Sequence, residues 1–206
     1  MAQPDAPDQL ARQVFSAYDG RSDGRDDGAR FCPRCRSELA SRSIGGRERK
    51  ACPGCSFVLF RNPAPAISVL VVEGDSVALC RRRSATFGVG KWCLPCGYIE
   101  YDEDFLTAAV REVKEETGLD VSIKGIVSAV TNFLTPNAHT LVIVLVADRV
   151  GGELAAGDDD VDAVGWFSVQ APLPELAFEA DGHIIQRYFA TRLAGAPVDE
   201  RYAGGA

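Results

Sequence analysis

The sequence predicts an α/β fold: a mixed β-sheet with interspersed helices, preceded by a small cysteine-stapled module. Three observations predict it. From Pro63 onward, β-rich segments alternate with stretches of helical periodicity, the order that builds a helix-covered sheet. Residues 29–62 hold two Cys pairs and few large apolar side chains, so that segment needs a staple in place of a core. The first 28 residues are rich in Asp, Gly, Arg and Pro, a linker-like composition. The expected organisation is a flexible segment over 1–28, the stapled module over 29–62, a main domain over 63–195 and a tail over 196–206.

Taken in order, residues 9–18 read as a short helix and 20–28 as a linker. Residues 66–73 and 76–81 flank Gly74-Asp75, a hairpin signal. Residues 102–117 have helical periodicity and stop at Gly118, a suitable C-terminal cap. Strands follow over 119–133 and 139–150 around a Pro136-Asn137 turn, then a short strand over 163–168 and a closing helix over 182–193. No internal repeat is present.

Composition removes several function classes. Hydrophobic residues make up 46% of the 206 and charged residues 25%, an ordinary globular mix. The longest apolar stretches, 66–72 and 141–147, are far too short to span a bilayer, and the acidic N-terminus does not read as a signal or transit peptide. A cytoplasmic protein without a membrane partner is expected. A net charge of -7 argues against non-specific nucleic-acid binding, which needs the opposite sign. An acidic protein that handles phosphates needs local positive charge, and a bound divalent cation supplies it.

Cys32-Pro-Arg-Cys35 and Cys52-Pro-Gly-Cys55 are separated by sixteen residues. Each pair is a tight turn that aims two thiolates at one point, and two such turns complete a tetrahedral sulfur site suited to Zn²⁺. Four thiolates leave zinc no open position, so the site is expected to be structural. The loop between the pairs carries Arg42, Arg47, Arg49 and Lys50, most simply a solvated charged loop.

The chemistry is expected in residues 97–119. On a helix, Leu106, Ala109, Val110 and Val113 form one apolar stripe facing the sheet. Glu112, Glu115 and Glu116 fall at i, i+3 and i+4 on another face, where like charges repel. Their convergence makes sense around a hard cation with oxygen ligands, Mg²⁺ or Mn²⁺.

The same segment resembles the Nudix box at every defined position. It reads Gly97, five residues, Glu103, seven residues, Arg111-Glu112-Val113, one residue, Glu115-Glu116, one residue, Gly118-Leu119. With the Cys pairs, the chain resembles a Nudix hydrolase with an N-terminal zinc ribbon, and the fold implied is the Nudix α/β/α sandwich with a mixed sheet. The resemblance implies that Glu112, Glu115, Glu116 and the Gly97 carbonyl bind Mg²⁺ or Mn²⁺. It also implies that Glu112 helps activate water, Arg111 orients Glu112, and Glu103 supports the loop and helix. The family's usual Leu-Pro-Gly-Gly is Leu94-Pro95-Cys96-Gly97 here, which creates a third pair, Cys93 and Cys96.

On the substrate side, Arg81 and Arg83 share one face of their strand, with Arg82 on the other. Arg81 and Arg83 are candidates for phosphate; Trp92 and Phe133, with Phe87 and Phe178, are candidates for stacking on a base. One ribbon-bearing group, which cleaves NADH and NAD-capped RNA, carries Ser-Gln-Pro-Trp-Pro-Phe-Pro after the box, where this chain has Val130-Thr-Asn-Phe-Leu-Thr-Pro136. Arg61-Asn62-Pro63 and Leu176-Ala177-Phe178 resemble the FAD and ADP-ribose pyrophosphatases instead. Cleavage of FAD or ADP-ribose to release AMP is therefore the leading expectation. NADH or NAD-cap cleavage and a non-enzymatic nucleotide sensor or nucleic-acid-binding regulator are the alternatives. The expected partner is a small nucleotide, with a homodimer left open and nucleic acid not expected.

Overall fold

The computed structural model describes residues 11–18, 28–83, 87–157 and 160–204. Its elements are β1 (Val14–Ser16), β2 (Ala40–Ile44), β3 (Arg47–Ala51), β4 (Ala64–Glu73), β5 (Ser76–Arg82), β6 (Trp92–Cys93), β7 (Cys96–Tyr98), α1 (Phe105–Thr117), β8 (Leu119–Thr135), β9 (Ala138–Gly152), β10 (Val161–Ser168) and α2 (Glu179–Thr191). The main sheet runs β1-β8-β9-β4-β5-β10, with β6 on β5 and β7 on β4; β2 and β3 form a separate hairpin. β4 pairs with β9, and β1 with β8, in parallel, while β8–β9 and β4–β5 are antiparallel, so the sheet is mixed.

β4 is apolar almost throughout because both of its faces are covered. Ile67, Val69 and Val71 point into the cluster that takes Leu106, Ala109 and Val113 of α1. Ala66 and Leu70 point the other way, into the cluster that takes Ala180, Ile184 and Ile185 of α2. The strand period of two thus sorts one strand onto two helices. The stripe expected on α1 is present, except that Val110 is half-buried and Ala108 joins the buried face.

Local chemistry sets the ends of α1. Asp104 accepts from the backbone N–H groups of Leu106 and Thr107, and Gly118 closes the helix at φ 73°, a left-handed conformation that costs glycine little. The helix therefore starts at Phe105 rather than at residue 102. The closing helix starts at Glu179, one turn earlier than residue 182.

The helix expected over residues 9–18 is overturned on its described part: Val14–Ser16 is a strand, paired in parallel with Thr131, Asn132 and Phe133. Phe15 is buried there, beside the His183 ring on α2. Tertiary pairing outweighs the local pattern. The linker expected over 20–28 lies outside the described residues except for Gly28. The C-terminal stretch packs back on the domain: Ala196 exchanges backbone hydrogen bonds with Ile126, and the Ala203 carbonyl accepts from Ile123 N. Among the described residues, no helix is long and apolar enough to cross a membrane.

Candidate functional site

The two ligand sets differ in how they are built. In residues 29–62, each Cys pair folds into a knuckle followed by a residue of positive φ, Arg36 at 63° and Ser56 at 60°. Backbone bonds repeat in the two knuckles: Cys32 N to Ser37 O, and Cys52 N to Phe57 O. The result brings Cys32 Sγ to 3.5 Å from Cys55 Sγ and Cys35 Sγ to 3.4 Å from Cys52 Sγ. All four sulfurs lie within 4.8 Å of one another. Sulfurs around one zinc at about 2.3 Å stand roughly 3.8 Å apart, so the cluster matches a four-thiolate site. The thiols shift one another in opposite directions: hydrogen bonds with Ser37 lower Cys35, while its sulfur neighbours and burial raise Cys55.

At α1 the carboxylates are gathered by an arginine. Arg111 grips Glu103 with two bonds, Nε to Oε2 at 3.0 Å and Nη2 to Oε1 at 2.5 Å. Its Nη1 donates to Glu112 at 2.8 Å and to Glu115 at 2.9 Å. This fork holds Glu103 below the usual carboxylate range through its bond to Arg111. Glu103 also accepts from Glu100 N at 3.0 Å, which ties the loop before the helix to the clamp. Glu116 is buried, with its Oε2 accepting from Cys96 N at 2.9 Å. A Cβ on Gly97 would sit 2.1 Å from the Glu112 carboxyl, so only glycine lets that carboxylate lie against the β7 backbone.

Among the described residues, the four cysteines are the only set of three or more ligating groups within 4.8 Å of one another. The glutamates stand further apart because Glu112 and Glu115 turn to Arg111 while Glu116 turns to Cys96. The donor set nonetheless fits a hard cation: carboxylates on one helical turn beside exposed backbone, with a fixed guanidinium spreading their charge.

Glu112, Glu116 and Gly97 line one cleft, of about 280 Å³. Its floor is the α2 face of the sheet, with Ser68 on β4, Asn132 on β8 and Thr140 on β9. Arg82, Phe87, Phe178 and Asp181 complete the walls. The Phe87 and Phe178 rings stack at 5.8 Å and 17°, and Arg82 Cζ lies 5.2 Å above the Phe178 ring. Ser68 Oγ and Thr140 Oγ1 are buried and have no hydrogen-bond partner among the described residues. Asp181 is buried too; desolvation pushes its carboxyl up to about 7, opposed by a 3.0 Å bond from Leu94 N and by Arg82.

The residues predicted from sequence therefore fall into two groups. Gly97, Glu103, Arg111, Glu112, Glu115 and Glu116 come together. Arg81, Arg83, Trp92 and Phe133 do not line the cleft. Arg81 is paired with Asp162 at 2.6 Å, Arg83 is exposed, Trp92 packs edge-on against Phe167 at 4.7 Å, and Phe133 packs against His139. The strand ends at Arg82, and it is Arg82 that faces inward. Asp160, just before β10, also lines the cleft. Sequence reasoning missed Ser68, Asn132, Thr140 and Asp181. The one available signal was polar residues placed inside otherwise apolar elements.

Comparison with known proteins agrees with this geometry. The NUDIX domain model matches residues 62–188. The NAD-capped RNA hydrolase NudC of Pseudomonas aeruginosa is 32% identical over 170 residues, 81% of this chain and 58% of that protein, so this chain spans little more than half its relative's length. The ADP-ribose pyrophosphatase of Methanocaldococcus jannaschii is 36% identical over 133 residues, 64% of this chain and 76% of that protein. A NUDIX hydrolase from Nitrosomonas europaea has a similar crystal structure: TM-score 0.70, 26% identity, covering 82% of this chain and 96% of that one. The box residues gathered by Arg111, the helix-sheet-helix architecture and the domain match together identify the chain as a member of the NUDIX domain family.

Proposed function

We propose that the chain hydrolyses the phosphoanhydride bond of a nucleoside diphosphate joined to a second group, with ADP-ribose as the leading substrate class and AMP as a product. Glu112, Glu115, Glu116 and the Gly97 carbonyl would hold Mg²⁺ or Mn²⁺, and Cys32, Cys35, Cys52 and Cys55 a structural Zn²⁺. The observation that carries the reading is the Arg111 fork, which fixes Glu112 at the end of a cleft large enough for a nucleotide. A divalent cation held there would polarise the phosphorus, lower the pKa of water and offset charge on the departing phosphate.

The protein's own groups do the rest. Arg111, locked on Glu103, orients Glu112 to take a proton from the attacking water. The water oxygen forms the new P–O bond. The bridging oxygen leaves with its electron pair on the second phosphate, giving two phosphate monoesters. Arg82, half-buried beside the stacked Phe87 and Phe178 rings, places a fixed positive charge in the cleft. The rings and the unpartnered Ser68 and Thr140 hydroxyls offer stacking and hydrogen bonds to the nucleoside.

NAD-capped RNA is the second reading. It is favoured by the NudC match, which spans 81% of the chain against 64% for the ADP-ribose pyrophosphatase. The test is turnover of ADP-ribose, FAD, NADH and NAD-capped RNA with Mg²⁺ and Mn²⁺, resolving products. AMP plus ribose 5-phosphate from ADP-ribose is expected. Hydrolysis of nucleoside triphosphates alone, releasing pyrophosphate, would contradict the reading.

A further inference from the structure

The ribbon carries charge of the opposite sign to the rest of the molecule. Residues 29–62 contain eight Lys and Arg against two Glu, in a chain whose net charge is -7. With four thiolates around one zinc the module still carries about +4. The chain's net charge averages over two oppositely charged parts.

The positive charge is placed, not scattered. β2 and β3 pair as a hairpin closed by Gly45 and Gly46, both at positive φ, the conformation a tight two-residue turn requires. In the register, Arg42 stands directly opposite Arg49, and Ile44 opposite Arg47. Strand alternation therefore sets Arg42, Arg47 and Arg49 on one hairpin face. Like charges directly opposite each other cost stability in a ladder. Among the described residues, no ion pair relieves Arg42 or Arg47, both of which are exposed. An exposed aromatic ring, Phe60, lies 5.1 Å from Arg49 Cζ. The module also adjoins the cleft: Arg61 donates to Pro136 O at 2.7 Å, in the turn whose neighbours Leu134 and Ala138 line the cleft.

We propose that this hairpin face, Arg42, Arg47 and Arg49 with Phe60, is a docking surface for single-stranded RNA. Three guanidiniums on one face meet successive phosphates, and an exposed ring offers a base a stacking platform, the combination that single strands need. An acidic polypeptide would use the charge but not the ring. Docking here and hydrolysis in the cleft are separable, because none of the four residues lines the cleft.

Fluorescence anisotropy of the full zinc-loaded chain with a labelled 5′-monophosphate oligouridine tests the surface, with the Arg42→Glu/Arg47→Glu/Arg49→Glu and Phe60→Ala variants beside it. The parent should bind with a salt-dependent affinity. The triple variant should lose about tenfold or more, with a salt slope shallower by roughly two, about 0.7 per phosphate contact removed. Phe60→Ala should lose about fivefold with an unchanged slope. Zinc content and turnover of a small substrate should match the parent. If the triple variant loses zinc, Arg42→Gln/Arg47→Gln, which changes only exposed side chains, is measured in its place. Absence of RNA binding by the parent, or unchanged binding in the charge variants, overturns the proposal. So does polyglutamate that binds equally well and displaces the RNA.

Discussion

The two candidate ligand sets of this molecule stand at opposite ends of a scale of preassembly. The four ribbon sulfurs lie within 4.8 Å of one another, yet the module's buried apolar cluster is only Cys32, Leu39 and Cys52 with a few half-buried neighbours. On α1, Glu112 and Glu115 turn to Arg111 while Glu116 turns to Cys96, yet their helix is seated on a large core that includes Ile67, Val69, Leu119 and Leu145. In the ribbon an ion would stand in for a core; on the helix it would join a scaffold that is already standing. Metal removal should therefore unfold one region and leave the other folded.

The largest expected effect is in the ribbon. Cys52→Ser leaves three thiolates and should abolish zinc retention. Structural zinc contributes on the order of 10–16 kcal/mol of apparent folding free energy in isolated modules. Residues 29–62 should become protease-sensitive while the main domain keeps its cooperative transition. A ribbon that stays protected without zinc would break the comparison.

Next in size is Asp181, the buried acid of the cleft. Its folded pKa, about 7, lies above the unfolded value near 3.8, so the unfolded chain releases this proton first as pH rises. Stability from this group is full below about pH 4 and is lost as pH climbs through 7, by about 4 kcal/mol at most. Asp181→Asn keeps an acceptor for Leu94 N and should remove that decline, raising Tm at pH 8 relative to the parent. Parallel Tm–pH curves for the two proteins over pH 4–8 would contradict the assignment.

The smallest effect concerns the clamp. Arg111→Lys keeps the charge but loses the fork that reaches Glu103, Glu112 and Glu115 together. Turnover should fall by roughly 10–100-fold, or about 1.4–2.7 kcal/mol. Tm should change little, since Arg111 is partly exposed. A steady-state comparison of kcat for the two proteins checks it.

What was legible in the sequence was what local chemistry decides. The Gly74-Asp75 hairpin, the Gly118 stop, the paired cysteine knuckles and the shared face of Glu112, Glu115 and Glu116 all follow from spacing and turn residues. What was not legible depends on long-range pairing. Val14–Ser16 becomes a strand only because β8 offers it an edge. The roles of neighbouring arginines also depend on packing: Asp162 takes up Arg81, while Arg82 turns into the cleft. Asp181 and Thr140 look like surface residues until the sheet and α2 bury them.

The central claim is that the acidic face of α1 holds the metal that makes the cleft hydrolytic. Glu116→Gln tests it most directly. The amide oxygen can still accept from Cys96 N, so the fold should survive, and losing a negative charge at i+4 from Glu112 eases local repulsion. Turnover of ADP-ribose and Tm are measured for both proteins with and without Mg²⁺. Without Mg²⁺ the variant should melt at or slightly above the parent. With Mg²⁺ it should lose orders of magnitude in turnover and most of the metal-induced rise in Tm. Parental turnover at limiting Mg²⁺, together with an undiminished rise in Tm, would place the catalytic metal elsewhere.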